Sequence, residues 1–381
     1  MDRKKIFVIG PIIPFTGGIA HSNTVLCNNL SKNNDVTAIS YSMMFPKILY
    51  PGKSQKSGKK IKTKFKQKFI LNTLNPLSWI KIVNMVKKEK PEWVVFEWWH
   101  TYFFPSYYFI TFFSKIFTKT KFKIICHNVL PHEEGLAMKL IHKPFTKILL
   151  KKVDDITALS KSELRVAKKL AQETKTTFIL ENSYASLLSN KKVSKSVARK
   201  KLGIKNEKVI LSFGAVRKYK GVEDLIKAIS CLPKKEEYML VVAGAFWGGV
   251  EKYQTLAKEF GVWKNIKFID KYIPDKEIPI LFGAADLLVL SHRSATQSAI
   301  PQLAYVYSTP IIATNVAGNA PFVEEGRNGF IIPPKNPKEM SKAINKFFSK
   351  DFTKKFILGN KEVAKKFEWN KEKERIFFGE N

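Results

Sequence analysis

The chain has 381 residues, and its 66 lysines and arginines against 32 acidic residues give a formal net charge of +34. That length suffices for two domains with separate cores, while three widely spaced cysteines exclude a disulfide framework and a cysteine metal site. The positive charge indicates attraction to nucleic acid, acidic lipid or phosphorylated substrates, or else only a lysine-rich composition.

The amino terminus superficially resembles a signal peptide, because charged residues precede an apolar run. A glycine and two prolines interrupt that run, so a first strand at Ile6–Ile9 is the better interpretation. The most apolar stretch, Tyr102–Phe117, contains a proline and a lysine and is too short to span a membrane. We therefore expect a cytoplasmic protein, free or attached to the inner face of the membrane.

Strands alternate with helical segments from residue 1 to about 185, which predicts an α/β, Rossmann-like domain. A capping box at Ser160 and Glu163 predicts a helix start. The final helix, residues 361–381, is expected to complete this domain through Phe367, Trp369 and Phe377. The predicted strands are Ile6–Ile9, Val36–Ser40, Trp93–Phe96, Lys123–Cys126, Asp155–Ala158 and Thr177–Leu180.

A second α/β region follows from about 205 to 350, and apolar runs separated by helix-length segments predict a parallel sheet. Its predicted strands are Val209–Phe213, Met239–Ala243, Ile266–Ile269, Leu287–Leu290 and Ile311–Ala313. The polar stretch after residue 181 is the expected crossing between the two domains.

Two lysine-rich segments have two interpretations each. The segment Gly52–Lys68 is too polar for a core and predicts a mobile loop, either merely solvated or contacting anionic lipid. The segment Met138–Val153 is amphipathic and cationic, as an interfacial membrane helix is, although a core-facing helix with outer lysines has the same pattern. Pro144 is expected to interrupt or begin that helix.

An anion site is predicted where a short polar turn separates a strand from a helix. Backbone N–H groups of the turn Ser294–Ser298 precede such a helix, and they attract a phosphate. In the same region, Gly214 permits a tight turn after a strand, and Arg217 and Lys220 follow it. A guanidinium and an ammonium there can neutralise a diphosphate. The polar candidates of the turn are Ser294, Thr296, Gln297 and Ser298.

Three blocks of the sequence resemble retaining GT-B glycosyltransferases of the family 4 type. They are Ala284–Pro334 with its Gly-bearing turns, Leu211–Ile229 with a Lys-Gly pair at Lys220, and Lys123–Gly135 with a histidine. The opening FVIGPIIPFTGGIAHSN is similar to the family's Gly-Gly loop. The resemblance implies two Rossmann-like, doubly wound domains facing a cleft, with a nucleotide sugar bound mainly by the second.

The chain departs from the family pattern at three positions. Ala215 stands where the family usually has an arginine, so Arg217 is a shifted replacement. Ala295 and Leu303 stand where most members have glutamates, one of which binds the donor ribose. The neighbouring amide of Gln302 offers uncharged hydrogen bonds to sugar hydroxyls instead.

In the first domain, the resemblance implies a catalytic role for His127, which follows a strand at the edge where α/β proteins bind ligands. Gly17 and Gly18 form the implied donor-binding loop. Further candidates on neighbouring loops are His100, Asn128 and Glu133; the last of these acts as a base or caps a helix.

The predicted function is transfer of a sugar from a nucleotide-diphosphate sugar to a hydroxyl of a glycan or lipid-linked acceptor, with retention. No metal or cofactor is expected, because no Asp-x-Asp pair or metal-type histidine spacing is present. No RNA-binding or zinc-finger signature supports nucleic acid as a partner. The alternatives are a sugar-nucleotide epimerase of similar fold and a non-catalytic polyanion-binding protein.

Overall fold

The structure is a computed structural model, and the chain divides into two compact units. Unit 1 comprises residues 1–184 and 369–381, and unit 2 comprises residues 185–368. Within these, the described residues are 3–46, 55–56, 61–130, 136–180, 187, 192–295, 298 and 300–380, without the side chains of 136–141.

Unit 1 is built on a parallel seven-stranded sheet in the order β3-β2-β1-β4-β5-β6-β7. Its strands are β1 (Lys5–Ile9), β2 (Asp35–Met43), β3 (Lys66–Asn72), β4 (Trp93–Trp98), β5 (Lys121–Cys126), β6 (Asp155–Ala158) and β7 (Lys175–Phe178). Its helices are α1 (Gly18–Leu30), α2 (Pro76–Glu89), α3 (Phe104–Phe117), α4 (Leu136–Lys152), α5 (Lys161–Leu170) and α13 (Lys371–Phe378).

Unit 2 contains a parallel six-stranded sheet in the order β10-β9-β8-β11-β12-β13. Its strands are β8 (Lys208–Phe213), β9 (Tyr238–Ala243), β10 (Ile266–Ile269), β11 (Leu287–Leu290), β12 (Ile311–Thr314) and β13 (Gly329–Ile332). Its helices are α6 (Lys195–Leu202), α7 (Val222–Ser230), α8 (Glu251–Glu259), α9 (Ile278–Ala284), α10 (Ile300–Tyr307), α11 (Pro337–Ser349) and α12 (Thr353–Ala364).

Both strand orders are doubly wound, so the prediction of two Rossmann-like α/β domains is confirmed. The direction of winding reverses between β1 and β4 in unit 1 and between β8 and β11 in unit 2. Loops diverge at such a reversal and leave a crevice at the carboxyl ends of the strands. Most of the candidate site residues follow one of these four strands, whereas His127 and Asn128 follow the neighbouring β5.

The capping box is confirmed, since the Ser160 hydroxyl accepts a hydrogen bond from the Glu163 N–H at 3.2 Å and α5 begins at Lys161. The first strand is also confirmed. Within the described residues, no helix is both long and apolar enough to cross a membrane.

Two strands were not predicted from the sequence, and the predicted position of a third was wrong. The last three residues of the segment Gly52–Lys68, predicted to be a loop, belong to a strand, because β3 begins at Lys66. Residues 47–54 and 57–60 lie outside the described residues. As the edge strand, β3 keeps lysines in solvent while Leu71 is buried. The short β13 was also missed, and β7 begins at Lys175 instead of Thr177.

The prediction of one final helix was wrong. Helix α12 ends at Ala364, and α13 starts anew after Asn370, whose side chain accepts a hydrogen bond from the Lys373 N–H at 2.8 Å. Phe377 packs in a core of unit 1, as expected. Phe367 does not, because its ring stacks on Phe322 of unit 2 at 4.5 Å.

Pro144 does not interrupt or begin a helix, because it lies inside α4. The helix faces the core on one side, and a role at a membrane stays a prediction. Leu149 and Leu150 are buried in the core of unit 1, whereas Phe145 and Ile148 are exposed.

Candidate functional site

Two loops of unit 2, after β8 and after β11, are hydrogen-bonded to each other where the winding of the sheet reverses. The Ser291 hydroxyl, after β11, donates to the Lys220 carbonyl at 2.8 Å, and the Arg293 N–H donates to the Tyr219 carbonyl at 2.7 Å. Gly221 has a φ of +65°, and a Cβ there would lie 2.2 Å from the Ser291 carbonyl oxygen. The close approach of the loops therefore requires glycine.

The Lys220 side chain occupies the junction of these loops. Its Nζ lies 3.0 Å from Nε2 of His292, which is itself 2% exposed. An ammonium group only donates hydrogen bonds, so the imidazole nitrogen accepts. The Lys220 ammonium, on the loop after β8, thus contacts the neutral imidazole of His292.

Burial lowers the pKa of Lys220 to about 8, and the positive charge of Arg217 acts in the same direction. Burial also holds the pKa of His292 well below its usual range, and the charge of Lys220 adds to this effect. Among the described residues, no carboxylate forms a salt bridge with Lys220. A partly buried cation without a counter-ion is suited to receive an anion.

Arg217 lies at the edge of the same loop. Its guanidinium stacks on the indole of Trp247, 3.8 Å from the ring centroid. The two loops pair through backbone bonds, since the Val216 N–H donates to the Ala245 carbonyl at 2.8 Å and Trp247 donates to Val216 at 3.0 Å. Arg217 is thereby held beside the strand ends.

Gly214, Lys220 and His292 line one small pocket of unit 2. Gly214 has a φ of +105°, and a Cβ there would lie 2.9 Å from Cδ1 of Ile300 on α10. This glycine allows the β8 loop to approach that helix. The structure thus brings the candidates Gly214 and Lys220 together with His292, which was not predicted.

The turn between β11 and α10 is described only in part. Ser298 is buried, and its hydroxyl has no hydrogen-bond partner within the described residues. Ser294 is exposed, and Gln302 is fully buried. The predicted candidates Thr296 and Gln297 lie outside the described residues. The role of the turn in anion binding stays a prediction.

In unit 1, His127 directly follows β5 and is 6% exposed. Its Nε2 lies 2.6 Å from a carboxylate oxygen of Glu97 on β4, and Glu97 is 1% exposed. A Cβ at Gly10 would lie 2.6 Å from Cγ of Glu97, so this glycine makes room for the pair. Glu97 was missed; a single acid inside the apolar strand WVVFEW was the available signal.

The remaining candidates of unit 1 are dispersed over its loops. Gly17, with a φ of +109°, caps α1, and a Cβ on it or on Gly18 would meet nothing within 4 Å. His100 caps a short 3-10 helix, because its Nδ1 accepts from the Tyr102 N–H at 3.0 Å. Asn128 follows His127. Glu133 lies outside the described residues.

Over the described part of the chain, no three His, Cys, Asp or Glu side chains are grouped to hold a metal ion. Lys220 and Arg217 contribute positive charge to the candidate site.

Residues 194–367 match the family model "Glycosyl transferases group 1". This match covers nearly all of unit 2. The match covers the β8 and β11 loops and thus the whole Lys220 pocket. The recognition of a glycosyltransferase from sequence motifs is confirmed at this level.

Curated proteins with different names match about half of this chain. Spore coat protein SA of Bacillus subtilis (strain 168) is 29% identical over 191 residues, which are 47% of this chain and 50% of that protein. The D-inositol 3-phosphate glycosyltransferase of Corynebacterium glutamicum (strain R) is 28% identical over 181 residues, 45% of this chain and 43% of that protein. The chain thus spans about half the length of the curated relatives it matches.

Solved structures resemble the entire chain. Anabaena HepE in complex with UDP has a TM-score of 0.71 at 17% identity, covering 96% of both chains. Sucrose-phosphate synthase from Thermosynechococcus elongatus has a TM-score of 0.72 at 16% identity, covering 99% of this chain and 97% of that one. These matches confirm the GT-B fold class.

Proposed function

We propose that the protein is a metal-independent retaining glycosyltransferase that uses a nucleotide-diphosphate sugar. The bond between the sugar C1 and the diphosphate oxygen breaks, and a bond from C1 to the acceptor oxygen forms on the same face. The acceptor hydroxyl proton passes to the departing diphosphate. The observation that carries this proposal is the uncompensated Lys220 ammonium in the pocket of unit 2.

Lys220 and Arg217 stabilise the departing diphosphate. Negative charge grows on the phosphate oxygen as the C1–O bond breaks, and a fixed cation lowers the energy of that state more than that of the ground state. The ammonium is suited to this role because no protein carboxylate competes for it within the described residues. A nucleoside diphosphate with uracil is the first to test, because HepE was solved with UDP and UDP-glucose.

The uncharged turn and α10 are proposed to bind the sugar and ribose hydroxyls. Ser298 has a buried hydroxyl available for such a bond, and Ser294, Thr296, Gln297 and Gln302 provide further polar groups. Amide and hydroxyl groups replace the two glutamates typical of the family at Ala295 and Leu303.

Unit 1 is proposed to supply the acceptor side of the reaction. His127 is the proposed catalytic residue, and the Gly17-Gly18 loop a proposed donor contact. The Glu97 carboxylate, 2.6 Å away, fixes the imidazole's orientation by engaging Nε2.

The acceptor is proposed to be a glycan or lipid-linked sugar at the inner face of an anionic membrane. Support comes from the outer surface of α2, α3 and α4, which we call the lysine-aromatic face. These helices contain three, one and five lysines and a single carboxylate, Glu89. Their exposed apolar side chains are Leu77, Ile80, Phe112, Phe113, Ile116, Phe117, Phe145 and Ile148.

Aromatic rings connect the three helices of the lysine-aromatic face. Trp79 of α2 contacts Phe109 of α3 at 5.6 Å, and Phe104 of α3 contacts Phe145 of α4 at 5.0 Å between centroids. Lys87 lies over the Phe117 ring at 4.6 Å. Aromatic rings flanked by lysines are typical of surfaces that bind at the level of anionic lipid headgroups.

The enzyme proposal is tested by screening nucleotide sugars for thermal stabilisation and then measuring transfer. Lys220→Ala is expected to lose most donor affinity, and His127→Ala to bind donor but transfer slowly. Donor isomerised without acceptor would identify an epimerase. Salt-sensitive nucleic-acid binding without turnover would identify a polyanion-binding protein.

The membrane proposal is tested by flotation with vesicles of phosphatidylglycerol and phosphatidylcholine. Binding is expected to require phosphatidylglycerol and to fall in Leu77→Gln/Ile116→Gln. Leu358→Gln is the matched control, because Leu358 is 60% exposed on unit 2. Self-association through this face without vesicle binding would contradict the membrane proposal.

A further inference from the structure

His292 is the one polar side chain that the described residues place against the Lys220 ammonium within 3.5 Å. We propose that His292 is a positioning residue, whose unprotonated Nε2 holds the ammonium at the place where the diphosphate binds. This inference rests on the proposed function of the pocket. Sequence motifs gave no signal for it, because the contact joins residues 72 positions apart.

The backbone of His292 is held by Thr314, the last residue of β12. The Thr314 hydroxyl donates to the His292 carbonyl at 2.7 Å. The Asn319 amide donates to the Thr314 hydroxyl at 3.3 Å. With Nε2 accepting from lysine, the ring proton resides on Nδ1. The Lys220 contact thus sets the tautomer of the ring.

A lysine side chain has four rotatable bonds, so an ammonium without a partner explores many positions. The hydrogen bond from the Ser291 hydroxyl to the Lys220 carbonyl fixes only the backbone of the lysine. The His292 contact fixes the ammonium at the far end of the lysine side chain. Together, they order the cation before the ligand arrives, and less entropy is lost on binding.

Other ionisable groups on the surrounding elements do not replace this contact. Arg217 and Tyr219 belong to the same loop, and Arg217 opposes the lysine charge. On α7, Asp224 is occupied by Arg293, with Nε to Oδ2 at 2.7 Å, and Glu223 lies 3.8 Å from the same guanidinium. The Asp224 and Glu223 charges are thus directed to Arg293.

The test measures UDP-glucose binding by calorimetry across neutral and alkaline pH. His292→Leu keeps an apolar group of comparable size but removes the acceptor. It is expected to raise the dissociation constant by about tenfold and to shift the alkaline loss of affinity to lower pH, because the ammonium loses its acceptor. His292→Gln restores an acceptor oxygen and should return both values toward wild type.

Ser291→Ala is the control, since it removes the hydrogen bond to the Lys220 carbonyl and leaves the contact between the ammonium and His292 in place. It is expected to leave the alkaline midpoint unchanged. A His292→Leu protein with wild-type affinity and midpoint would overturn the inference.

A second readout does not need a ligand. In protein labelled with ε-13C-lysine, the Lys220 resonance, assigned by its loss in Lys220→Met, reports the pKa of the ammonium. This pKa should fall in His292→Leu and recover in His292→Gln; an unchanged pKa would refute the positioning role. Wild-type protein that binds neither UDP-glucose nor inorganic pyrophosphate would refute the proposed function of the pocket, while this titration still decides the role of His292.

Discussion

Each unit contains a lysine whose pKa burial lowers to about 8, yet the two have opposite surroundings. In unit 1, the fully buried Lys123 ammonium lies 2.6 Å from Asp155 and 3.2 Å from the Thr157 hydroxyl. In unit 2, Lys220 contacts a neutral imidazole, and the charge that acts on its pKa is the positive Arg217.

We propose that this difference separates a structural lysine from a ligand-binding one. The charge of Lys123 is matched within the protein, and its ammonium also lies over the Phe377 ring of α13 at 4.8 Å. The charge of Lys220 is not matched in the described residues, and we propose that a bound anion matches it. A lowered pKa alone does not distinguish the two roles; the partner does.

The largest expected effect comes from breaking the Lys123 pair. Lys123→Met leaves Asp155 as a buried carboxylate without its cation, which should lower the free energy of unfolding by about 3–5 kcal/mol. Urea denaturation measures this loss. Donor affinity per folded molecule should stay unchanged.

The double variant Lys123→Met/Asp155→Asn is the matched control. It removes both charges together and should recover most of the lost stability. A single variant as stable as wild type would show that the pair is not structural.

Lys220→Met should have the reverse pattern. Loss of a cation aimed at the diphosphate is expected to weaken UDP-glucose binding by about 100-fold in calorimetry. Stability should change by no more than about 1 kcal/mol, because no carboxylate is left behind. Strong destabilisation with normal affinity would reverse the assignment of the two lysines.

A smaller effect is expected from pH. The ammonium must be protonated to attract the diphosphate, so affinity should be constant below the pKa of Lys220 and fall as pH rises through about 8. At one pH unit above that pKa the loss should be about tenfold. UDP-glucose is a suitable probe, because its diphosphate diester does not titrate in this range.

Lys220→Arg is the control for the pH dependence, since a guanidinium stays charged throughout. It should bind without an alkaline loss. An identical loss in wild type and Lys220→Arg would assign the titration to another group.

The sequence predicted the two sheets well because buried parallel strands are continuous apolar runs bounded by turn residues. It missed β3, where solvent-facing lysines on an edge strand masked the alternation, and β13, a short strand after a glycine turn. Lys220 was found because it belongs to a local motif. His292 and Glu97 were missed because each contacts a residue that is distant in the sequence: His292 contacts Lys220, and Glu97 contacts His127.

The most direct test of the central claim measures the pKa values of Lys123 and Lys220 in one labelled sample, without and with saturating UDP-glucose. If the diphosphate binds at the unmatched cation, the pKa of Lys220 rises above about 8 on binding, whereas that of Lys123 stays where it was. A pKa of Lys220 that does not move while UDP-glucose saturates the protein would contradict the account.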